Sequence, residues 1–446
     1  MQPPTGGSAP AHIAPPQACA GAAGLYFAAS SKDQDMSDTP IIIVGAGAAG
    51  IGAALECKAR GVPYIVLEAA NRVGGRAYTA AAGLPAAWDH GCHWLHCADV
   101  NPLVEWADKL GATYRSQDVA NPFQVWDGGA FADAQGVQDY GSAIDRAFET
   151  VEASGLDVPI PDVLPDAGRW APSVKLILAL MAGDDATGVS ASAYADYVDT
   201  DHNWPVLSGY GALITAMAQG LNIRTGVAVK AIHQREGGAT VATDQGDLEA
   251  SGVIVTASTN VLARGAIHFA PGPAADLVFQ LDRVPCGIYE KVAFAMDALP
   301  DEIAQTRFLS VQQSGHDMAT NFQIMHGDAP MMLCHMAGSY AHALVMAGPE
   351  AMTDYARGAL IDAFGTRIEE RIIATATTDW TNDPLVLGSY SHALPGSAQF
   401  RRDMITRDTG RVVFAGEAFS PNWQATAHGA YASGRRVAAR MAAWVS

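Results

Sequence analysis

The chain carries little charge, and positive charge is the scarcer kind. Charged residues make up 16% of its 446 residues, and 27 Lys and Arg stand against 46 Asp and Glu, for a formal net charge of −19. Such a deficit of cations argues against a nucleic-acid binder, because little would neutralise the phosphates. An acidic surface would attract cationic small molecules, although solubility alone is the simpler explanation of the charge.

Long apolar runs and closely paired cysteines are also lacking. No stretch has the length and hydrophobicity of a membrane-spanning helix, so we predict no membrane span. The six cysteines form no C-x-x-C pair, and we expect free thiols without a functional role in a reducing compartment. Cys92 and Cys97 flank His90, His93 and His96, but this spacing matches no zinc pattern, and we predict no metal site.

The first 35 residues lack hydrophobic periodicity and are rich in Ala, Pro, Gly and Ser. We therefore predict a disordered extension over residues 1–37, in which Met36 is an alternative start of the chain. No Lys or Arg precedes its weakly apolar stretch, so a signal peptide is only weakly indicated. The predicted location is cytoplasmic, and the extension leaves the periplasm or secretion open.

The segment TPIIIVGAGAAGIGAALECKARGVPYIVLEAANRVGGRAYT, residues 39–79, has the pattern of a nucleotide-binding unit. An apolar strand at Ile41–Val44 precedes a helix predicted over 48–60, which Gly61 ends. A second apolar strand, 64–67, leads into Glu68. Strand, glycine loop, helix, strand and terminal acid in this order predict a dinucleotide site.

The three glycines of the loop have separate tasks. Gly45 permits the tight turn, Gly47 lets the backbone approach a pyrophosphate, and Gly50 lets the helix pack closely on the strand. The helix N-terminus turns free N–H groups and a partial positive charge towards the phosphates. Glu68 would accept hydrogen bonds from a ribose hydroxyl.

The continuation NRVGGRAYT, with Gly74, Gly75 and Arg76, resembles the flavin amine oxidase family. The resemblance implies that these three residues lie along the pyrophosphate of FAD and near its flavin. An enzyme that uses NAD alone has no need of this second glycine loop.

The segment RVVFAGEAFSPNWQATAHGAYASGRRVAARMAAWV, residues 411–445, resembles the closing FAD segment of that family. It predicts a strand at 412–415 and a helix from about Gly429 onwards. The resemblance implies that the helix N-terminus points at the flavin ring, where its dipole favours negative charge. The residues implied to lie against the cofactor here are Gly416, Glu417, Thr426 and Ala427.

The resemblance extends from about residue 40 to the C-terminus and implies an α/β fold that is discontinuous in sequence. It combines an FAD-binding Rossmann-like (GR2-type) domain with a mixed α+β substrate-binding domain. Val229 falls where family members hold the adenine through backbone groups. We expect FAD-binding pieces at 38–95, 205–265 and 385–446, and substrate-binding pieces at 96–204 and 266–384.

A lysine interrupts the strand predicted in CGIYEKVAFAMD, residues 286–297. Lys291 shares its face with Tyr289 and two alanines, where an ammonium group must reach water, find an anion or do chemistry. An ordinary strand lysine would extend its stem to solvent. In the family a lysine here reaches the flavin N5 through a water. The resemblance therefore implies that Lys291 assists reoxidation by oxygen as a fixed positive charge.

Two aromatic residues in DWTNDPLVLGSYSHALPGS, residues 379–397, match the family's spacing for an active-site wall. Trp380 would lie at the flavin edge, and Tyr390 would face the substrate and hold an amine by cation–π contact or packing. Two ordinary core aromatics are the alternative. Ser389 stands where covalently flavinylated monoamine oxidases carry cysteine, so the resemblance implies noncovalent FAD.

The segment WDHGCHWLHCADVNPL, residues 88–103, resembles the family's G-x-x-W-x-H motif. His96 takes the position of a histidine or acid in polyamine oxidases. This implies that it faces the substrate and can hydrogen-bond a nitrogen or relay a proton. We expect His90 and His93 to be structural. The motif QATAHGAYASG favours the polyamine oxidase-like branch, because Ala427 replaces the second cage tyrosine of monoamine oxidases.

The resemblance thus implies an FAD-dependent oxidase of amines, with Lys291, His96 and Tyr390 as catalytic residues. Hydride would pass from the carbon next to nitrogen to flavin N5. The imine would hydrolyse to an aldehyde, and oxygen would yield hydrogen peroxide. An apolar pocket would favour the neutral amine, the form able to give up hydride.

Two other classes of function remain open at this stage. One is an FAD-dependent desaturase or dehydrogenase of an apolar substrate without an amine, and the other is a role in recognising a partner without oxidase chemistry. An enzyme that depends on a pyridine nucleotide is less well supported, because no second G-x-G-x-x-G follows a strand. The sequence predicts neither the identity of the amine nor the oligomeric state.

Overall fold

The computed structural model describes residues 39–116 and 123–445. The extension predicted over residues 1–37 lies outside these ranges. The strands within the described ranges are β1 (Ile41–Val44), β2 (Tyr64–Glu68), β3 (Thr79–Ala80), β4 (Trp88–Asp89), β5 (Trp94–Leu95), β6 (Phe123–Asp127), β7 (Trp204–Pro205), β8 (Ile223–Thr225), β9 (Val229–Arg235), β10 (Gly238–Thr243), β11 (Gly246–Ala250), β12 (Gly252–Val255), β13 (His268–Phe269), β14 (Tyr289–Met296), β15 (Phe308–Gln312), β16 (Thr320–Met325), β17 (Met331–Ala337), β18 (Ile372–Thr377) and β19 (Val412–Phe414).

The α-helices of the same ranges connect and cover these strands. They are α1 (Ala48–Arg60), α2 (Pro102–Leu110), α3 (Ala134–Ser154), α4 (Ala171–Ala182), α5 (Ala191–Tyr194), α6 (Tyr210–Met217), α7 (Thr259–Ala263), α8 (Pro273–Val278), α9 (Gly338–Ala347), α10 (Pro349–Phe364), α11 (Ala398–Thr406) and α12 (Ala427–Val445). None of the helices in the described ranges has both the length and the apolar character needed to cross a bilayer.

A five-stranded parallel sheet has the order β19-β12-β1-β2-β8. Every residue of β1 and β12 is buried, as expected of parallel strands covered on both faces. Helix α1 ends at Gly61, whose left-handed backbone (φ +69°) forms the C-cap. Helix α12 begins two residues before the predicted Gly429, because the hydroxyl of Thr426 accepts a hydrogen bond from the Gly429 N–H at 3.0 Å and caps the first turn.

A six-stranded sheet has the order β18-β14-β17-β16-β15-β6 and is antiparallel except for the β15–β6 pair. One face is apolar and packs against α9 and α10 through Val292, Phe294, Met296, Phe322, Ile324, Met332, Cys334 and Met336. The alternation of strand side chains places a polar set on the opposite face. Its members in register across the strands are Lys291, His335, Asn321 and Ser310, all buried.

Two short antiparallel strand pairs lie in the chain that follows the second glycine loop. Strands β3 and β4 pair Thr79 with Asp89, and β5 pairs with β7. A separate four-stranded sheet has the order β11-β10-β9-β13. The segment 88–95 lies against the polar face of the six-stranded sheet, because Lys291 donates hydrogen bonds to the carbonyls of Asp89 and Gly91.

The predicted α/β class with a Rossmann-like unit is confirmed. All strands of the parallel sheet come from the pieces predicted to bind FAD, and all strands of the six-stranded sheet come from the pieces predicted to bind substrate. The described residues belong to one compact unit. The division into two domains with the predicted boundaries therefore stays a prediction.

Helices α1 and α12 cross so closely that a methyl group has no room at the contact. A Cβ atom at Gly434 would lie 1.9 Å from the carbonyl oxygen of Ala49. We expect Gly434→Ala to lower the free energy of unfolding by about 1–3 kcal/mol through overpacking, measured by chemical denaturation. The control is Gly358→Ala in α10, where no atom lies within 4 Å. It should be neutral or stabilise by about 0.5–1 kcal/mol, and equal losses in both variants would contradict the close crossing.

Candidate functional site

The first glycine loop is sterically constrained at two of its three glycines. Gly45 has φ +103°, and a Cβ atom there would lie 2.4 Å from the hydroxyl of Thr256. A Cβ at Gly50 would lie 1.8 Å from the carbonyl oxygen of Gly45. The second glycine loop touches the first, because Gly74 pairs with Gly47 as a parallel bridge. Both loops are therefore held in one arrangement.

Glu68 joins three parts of the nucleotide region at the end of β2. Its carboxylate accepts hydrogen bonds from the backbone N–H groups of Ala46 at 2.6 Å and Ala70 at 2.8 Å. Its carbonyl accepts from the N–H of Val227 at 2.9 Å, which leads directly into Val229 at the start of β9. A carboxylate has about four acceptor positions, so Glu68 retains capacity for ribose hydroxyls.

The space between the glycine loops fits a pyrophosphate. Gly47 is the N-cap of α1 and has no side chain with which to cap it, and the first turn of α1 contains no acidic residue. A Cβ at Gly47 would meet only Gly75 and Gly74, at 3.9 and 4.0 Å, so it would project into the space between the loops. Free N–H groups at a helix N-terminus bind anions well. The residues present here are therefore suited to the diphosphate of FAD.

Arg76 and Glu417 connect the second glycine loop to the C-terminal segment. The guanidinium of Arg76 lies 3.1 Å from a carboxylate oxygen of Glu417 and also donates to the carbonyl of Ser389. Glu417 further accepts from the N–H and hydroxyl of Ser391, at 3.1 and 2.7 Å, and from the N–H of Ala425 at 3.0 Å. Four protein donors thus occupy this carboxylate, and its predicted place against the cofactor stays a prediction.

Lys291 is buried, with 4% of its surface exposed, and its ammonium group binds two backbone carbonyls. The Nζ atom donates to the carbonyl oxygens of Asp89 at 2.9 Å and Gly91 at 2.7 Å. Burial lowers the pKa of Lys291 to about 8, although the negative charge of Asp89 opposes the shift. The lysine therefore does not extend to solvent like an ordinary strand lysine, and its proton is held less tightly than usual.

Trp380 and Tyr390 each contact a neighbour of Lys291. The indole N–H of Trp380 donates to the carbonyl of His90 at 3.1 Å, within the segment that binds Lys291. The Tyr390 hydroxyl donates to the carbonyl of Leu180 at the end of α4. The Tyr390 ring centroid lies 5.8 Å from that of Tyr289, which shares the face of Lys291. Burial raises the pKa of Tyr390 well above its ordinary value, so its phenol stays protonated.

The three histidines of the segment 88–96 have three different partners. His90 contacts the carbonyl of Ala80 at 3.3 Å, and burial lowers its pKa to about 4. His93 binds the carboxylate of Asp89 at 2.8 Å. His96 binds the side-chain oxygen of Asn203 at 2.5 Å, and burial lowers its pKa although this hydrogen bond opposes the shift. Across 39–116 and 123–445, no group of three or more His, Cys, Asp or Glu side chains could hold a metal ion.

Asp89 is a structural organiser that our reading of the sequence missed. Burial by itself raises the pKa of its carboxyl, but hydrogen bonds from His93 and Thr79 outweigh this and lower the pKa. The same carboxylate accepts the N–H of Tyr210 at 2.9 Å, where α6 begins. The sequence signal was its position directly before the histidine-rich run, on an otherwise apolar short strand.

His335 and Tyr289 were also missed as members of the site. His335 lies opposite Lys291 on the neighbouring strand, and its Nδ1 atom is 2.6 Å from the Tyr289 hydroxyl. Burial lowers the pKa of His335 well below its ordinary value. The sequence did contain a signal for His335, since it is a polar residue within the apolar run MMLCHMA, residues 331–337. Lys291 interrupts its own apolar strand in the same way.

Comparison with known families yields two matches within this chain. The model of the flavin containing amine oxidoreductase family matches residues 168–442, which is more than half of the chain. The model of an NAD(P)-binding Rossmann-like domain matches residues 43–110, the unit that contains both glycine loops. The resemblance and the fold expected from the sequence are thereby confirmed.

The curated proteins similar to this chain include polyamine oxidases of comparable length and other proteins that are much longer than this chain. Lysine-specific histone demethylase 1 homolog 2 of Arabidopsis thaliana is 27% identical over 440 residues, which cover 92% of this chain and 59% of that protein. The chain also spans only 56% of the length of Protein FLOWERING LOCUS D of Arabidopsis thaliana. Polyamine oxidase 2 of Arabidopsis thaliana is 25% identical over 450 residues, which cover 92% of this chain and 89% of that protein.

Solved structures of two amine oxidases share the fold. Cyclohexylamine oxidase from Brevibacterium oxydans superimposes with a TM-score of 0.75 at 21% identity, covering 92% of this chain and 99% of the other. Wild-type putrescine oxidase bound to putrescine superimposes with a TM-score of 0.73 at 21% identity, covering 91% and 99%. At this level of identity the likeness shows the fold alone.

The lowered pKa of Lys291 predicts a specific dependence of stability on pH. Between pH 8 and about 10.5 the unfolded state holds this proton while the native state has lost it, so stability rises with pH. We expect the free energy of unfolding of the wild type, relative to Lys291→Met, to increase by roughly 3 kcal/mol across this window. Chemical denaturation of both proteins at several pH values measures the difference. A difference that stays constant with pH would contradict the burial of a charged lysine.

Proposed function

Since this chain belongs to the flavin containing amine oxidoreductase family, we propose that it is an FAD-dependent oxidase of alkyl or polyamine-like amines. The observation that carries the proposal is the buried Lys291, held by the carbonyls of Asp89 and Gly91 beside Trp380. A buried cation costs free energy that its hydrogen bonds must offset, so its presence here indicates a role in structure or in chemistry. Its position next to a dinucleotide-binding fold favours chemistry.

The cofactor would be FAD, held without a covalent bond by residues from three parts of the chain. When bound, FAD would supply an acceptor for the hydride from the carbon next to the amine nitrogen and would transfer the electrons to oxygen, which would give hydrogen peroxide. The residues that would hold it are Gly45, Gly47, Gly50, Glu68, Gly74, Gly75, Arg76, Val229, Trp380, Gly416, Glu417, Thr426 and Ala427.

The side chains around the substrate would position and deprotonate the amine. With its Nδ1–H donated to Asn203, a neutral His96 keeps a lone pair on Nε2, which can accept a hydrogen bond or a proton from an amine. Tyr390 and Trp380 would exclude water and favour the neutral amine. Because its pKa of about 8 lies above neutral pH, Lys291 remains mostly protonated and would supply positive charge or a proton.

The parallel sheet with the pieces 38–95, 205–265 and 385–446 would bind FAD, and the pieces 96–204 and 266–384 would form the amine pocket. A cytoplasmic location remains part of the proposal. It agrees with the free thiols of Cys57, Cys92, Cys97, Cys286 and Cys334.

Anaerobic mixing of the purified yellow protein with amines tests this function. The panel runs from polyamines, acetylated polyamines and putrescine to aryl-alkyl amines and amino acids. We expect at least one amine to bleach the flavin absorbance, and admitted air to restore it with release of hydrogen peroxide. In Lys291→Met bleaching should persist while the return of colour slows by about tenfold or more. A protein that binds FAD but is bleached by no amine would favour the desaturase-like alternative.

The absence of a thiol at Ser389 predicts that denaturation releases the flavin. After acid precipitation the yellow colour should remain in the supernatant for the wild type. The Ser389→Cys variant is the matched comparison, since it introduces a sulfur at this position. Flavin that precipitates with the wild-type chain would contradict noncovalent binding.

A further inference from the structure

Arg401 in helix α11 is another deeply buried cation besides Lys291. Only 1% of its surface is exposed, whereas its neighbour Arg402 keeps 40% of its side chain exposed. Burial of a guanidinium group costs free energy that its hydrogen-bond acceptors must offset. The acceptors of Arg401 therefore identify the part of the chain that this buried cation holds in place.

These acceptors lie in the loop 420–426, which runs directly into helix α12. The Nη2 atom of Arg401 donates to the carbonyl oxygen of Ser420 at 2.7 Å and to the side-chain oxygen of Gln424 at 3.2 Å. The side-chain nitrogen of Gln424 in turn donates to the carbonyl oxygen of Ala193, in α5, at 3.1 Å. The loop is therefore attached to α11 on one side and to α5 on the other.

The next residue of this loop, Ala425, has a backbone conformation that favours glycine. Its φ is +64°, in the left-handed region, where the Cβ atom of an L-residue is crowded. A strained conformation of this kind persists only where its surroundings enforce it. Two contacts do so here: Arg401 binds Gln424, directly before Ala425, and Glu417 accepts a hydrogen bond from the Ala425 N–H at 3.0 Å.

The turn at Ala425 sets the direction in which helix α12 begins. Thr426 follows it directly, donates from its hydroxyl to the carbonyl oxygen of Trp423 at 2.8 Å, and accepts the N–H of Gly429 at 3.0 Å. Thr426 and Ala427 are among the residues that would hold FAD. A change of the backbone angles at Ala425 would reorient the free N–H groups at the start of α12, whose partial positive charge favours a negative group.

We propose that Arg401 is a positioning residue for FAD: by binding Ser420 and Gln424 it holds Ala425 in its strained conformation, so that the N-terminus of α12 is aimed at the flavin before FAD binds. This inference rests on the FAD cofactor of the proposed function. Arg401 acts through the loop 420–426 rather than by touching the cofactor. A loop that is arranged in advance lowers the cost of ordering on binding, so loss of Arg401 weakens FAD binding even where the apoprotein is folded.

Titration of the apoprotein with FAD, followed by flavin fluorescence, tests this role apart from turnover. Arg401→Met removes the guanidinium group, and Gln424→Met removes the other side of the same hydrogen bond without changing any charge. We expect the Kd for FAD to rise about tenfold in Arg401→Met and about threefold in Gln424→Met. Near-ultraviolet circular dichroism of each apoprotein shows which variants are folded.

The matched control is Arg402→Met, one residue further along α11. The side chain of Arg402 binds Asp196 and Ser192, and Asp196 also lies 3.7 Å from Arg401. Because the hydrogen bonds of Arg402 go to these two residues and not to the loop 420–426, this variant should keep the wild-type Kd within about twofold.

Two further readouts separate positioning from a general loss of stability. Glycine adopts a positive φ without strain, so Ala425→Gly should restore most of the FAD affinity that Arg401→Met or Gln424→Met loses. Misalignment of the helix N-terminus should also weaken reduced FAD more than oxidised FAD, by about threefold in Gln424→Met. That ratio lowers the midpoint potential of the bound flavin by about 14 mV for a two-electron couple.

A folded Arg401→Met apoprotein that binds FAD as tightly as the wild type overturns the inference. So does an equal loss of affinity in Arg402→Met, or a loss that Ala425→Gly does not reduce. If Arg401→Met does not fold, Gln424→Met carries the comparison, and an unchanged Kd or an unchanged potential there overturns the inference. A wild type that binds FAD but is bleached by no amine would instead refute the proposed function, and these affinities would still report on Arg401.

Discussion

The contact between the Lys291 ammonium and the carbonyl oxygens of Asp89 and Gly91 sets the geometry of the whole centre. An ammonium group buried at this depth would cost several kcal/mol without such acceptors. The lysine belongs to the six-stranded sheet, whereas both carbonyls follow the second glycine loop. One charged contact therefore fixes the six-stranded sheet against the nucleotide-binding unit.

Buried carboxylates organise the rest of the centre in a similar manner. Glu290, on the apolar face, accepts hydrogen bonds from Thr378 and Thr381 and so anchors the chain that leads to Trp380. Glu417 joins Arg76 to the segment around Ser391. Each acid connects stretches that are far apart in sequence, and each is satisfied by several donors, which a buried charge requires. These networks hold Trp380 and Tyr390 in place on loops that have no regular hydrogen bonding of their own.

Much of the nucleotide-binding half could be predicted from local pattern. Strand β1, helix α1 and strand β2 follow from an apolar run, a glycine loop, helical periodicity and a terminal glycine within 28 residues, Ile41–Glu68. These signals are local because an apolar run, a helical periodicity and a glycine turn can each be recognised from a few neighbouring residues. The second sheet was less predictable, since its strands pair across long loops and only β14 carried a conspicuous residue.

The sequence by itself determined which chemistry the chain can host. Its glycines permit backbone conformations and close approaches that other residues cannot adopt, and Lys291 marks a strand that must accommodate a charge. Only the tertiary structure decided that Asp89 and His335 belong to the same site as Lys291. Their proximity arises from strand register, which pairs Lys291 with His335, and from the β3–β4 turn, which presents Asp89 to a lysine 202 residues further along the chain. No pattern within a single segment can encode such a contact, which is why these residues were recognised only once the chain was folded.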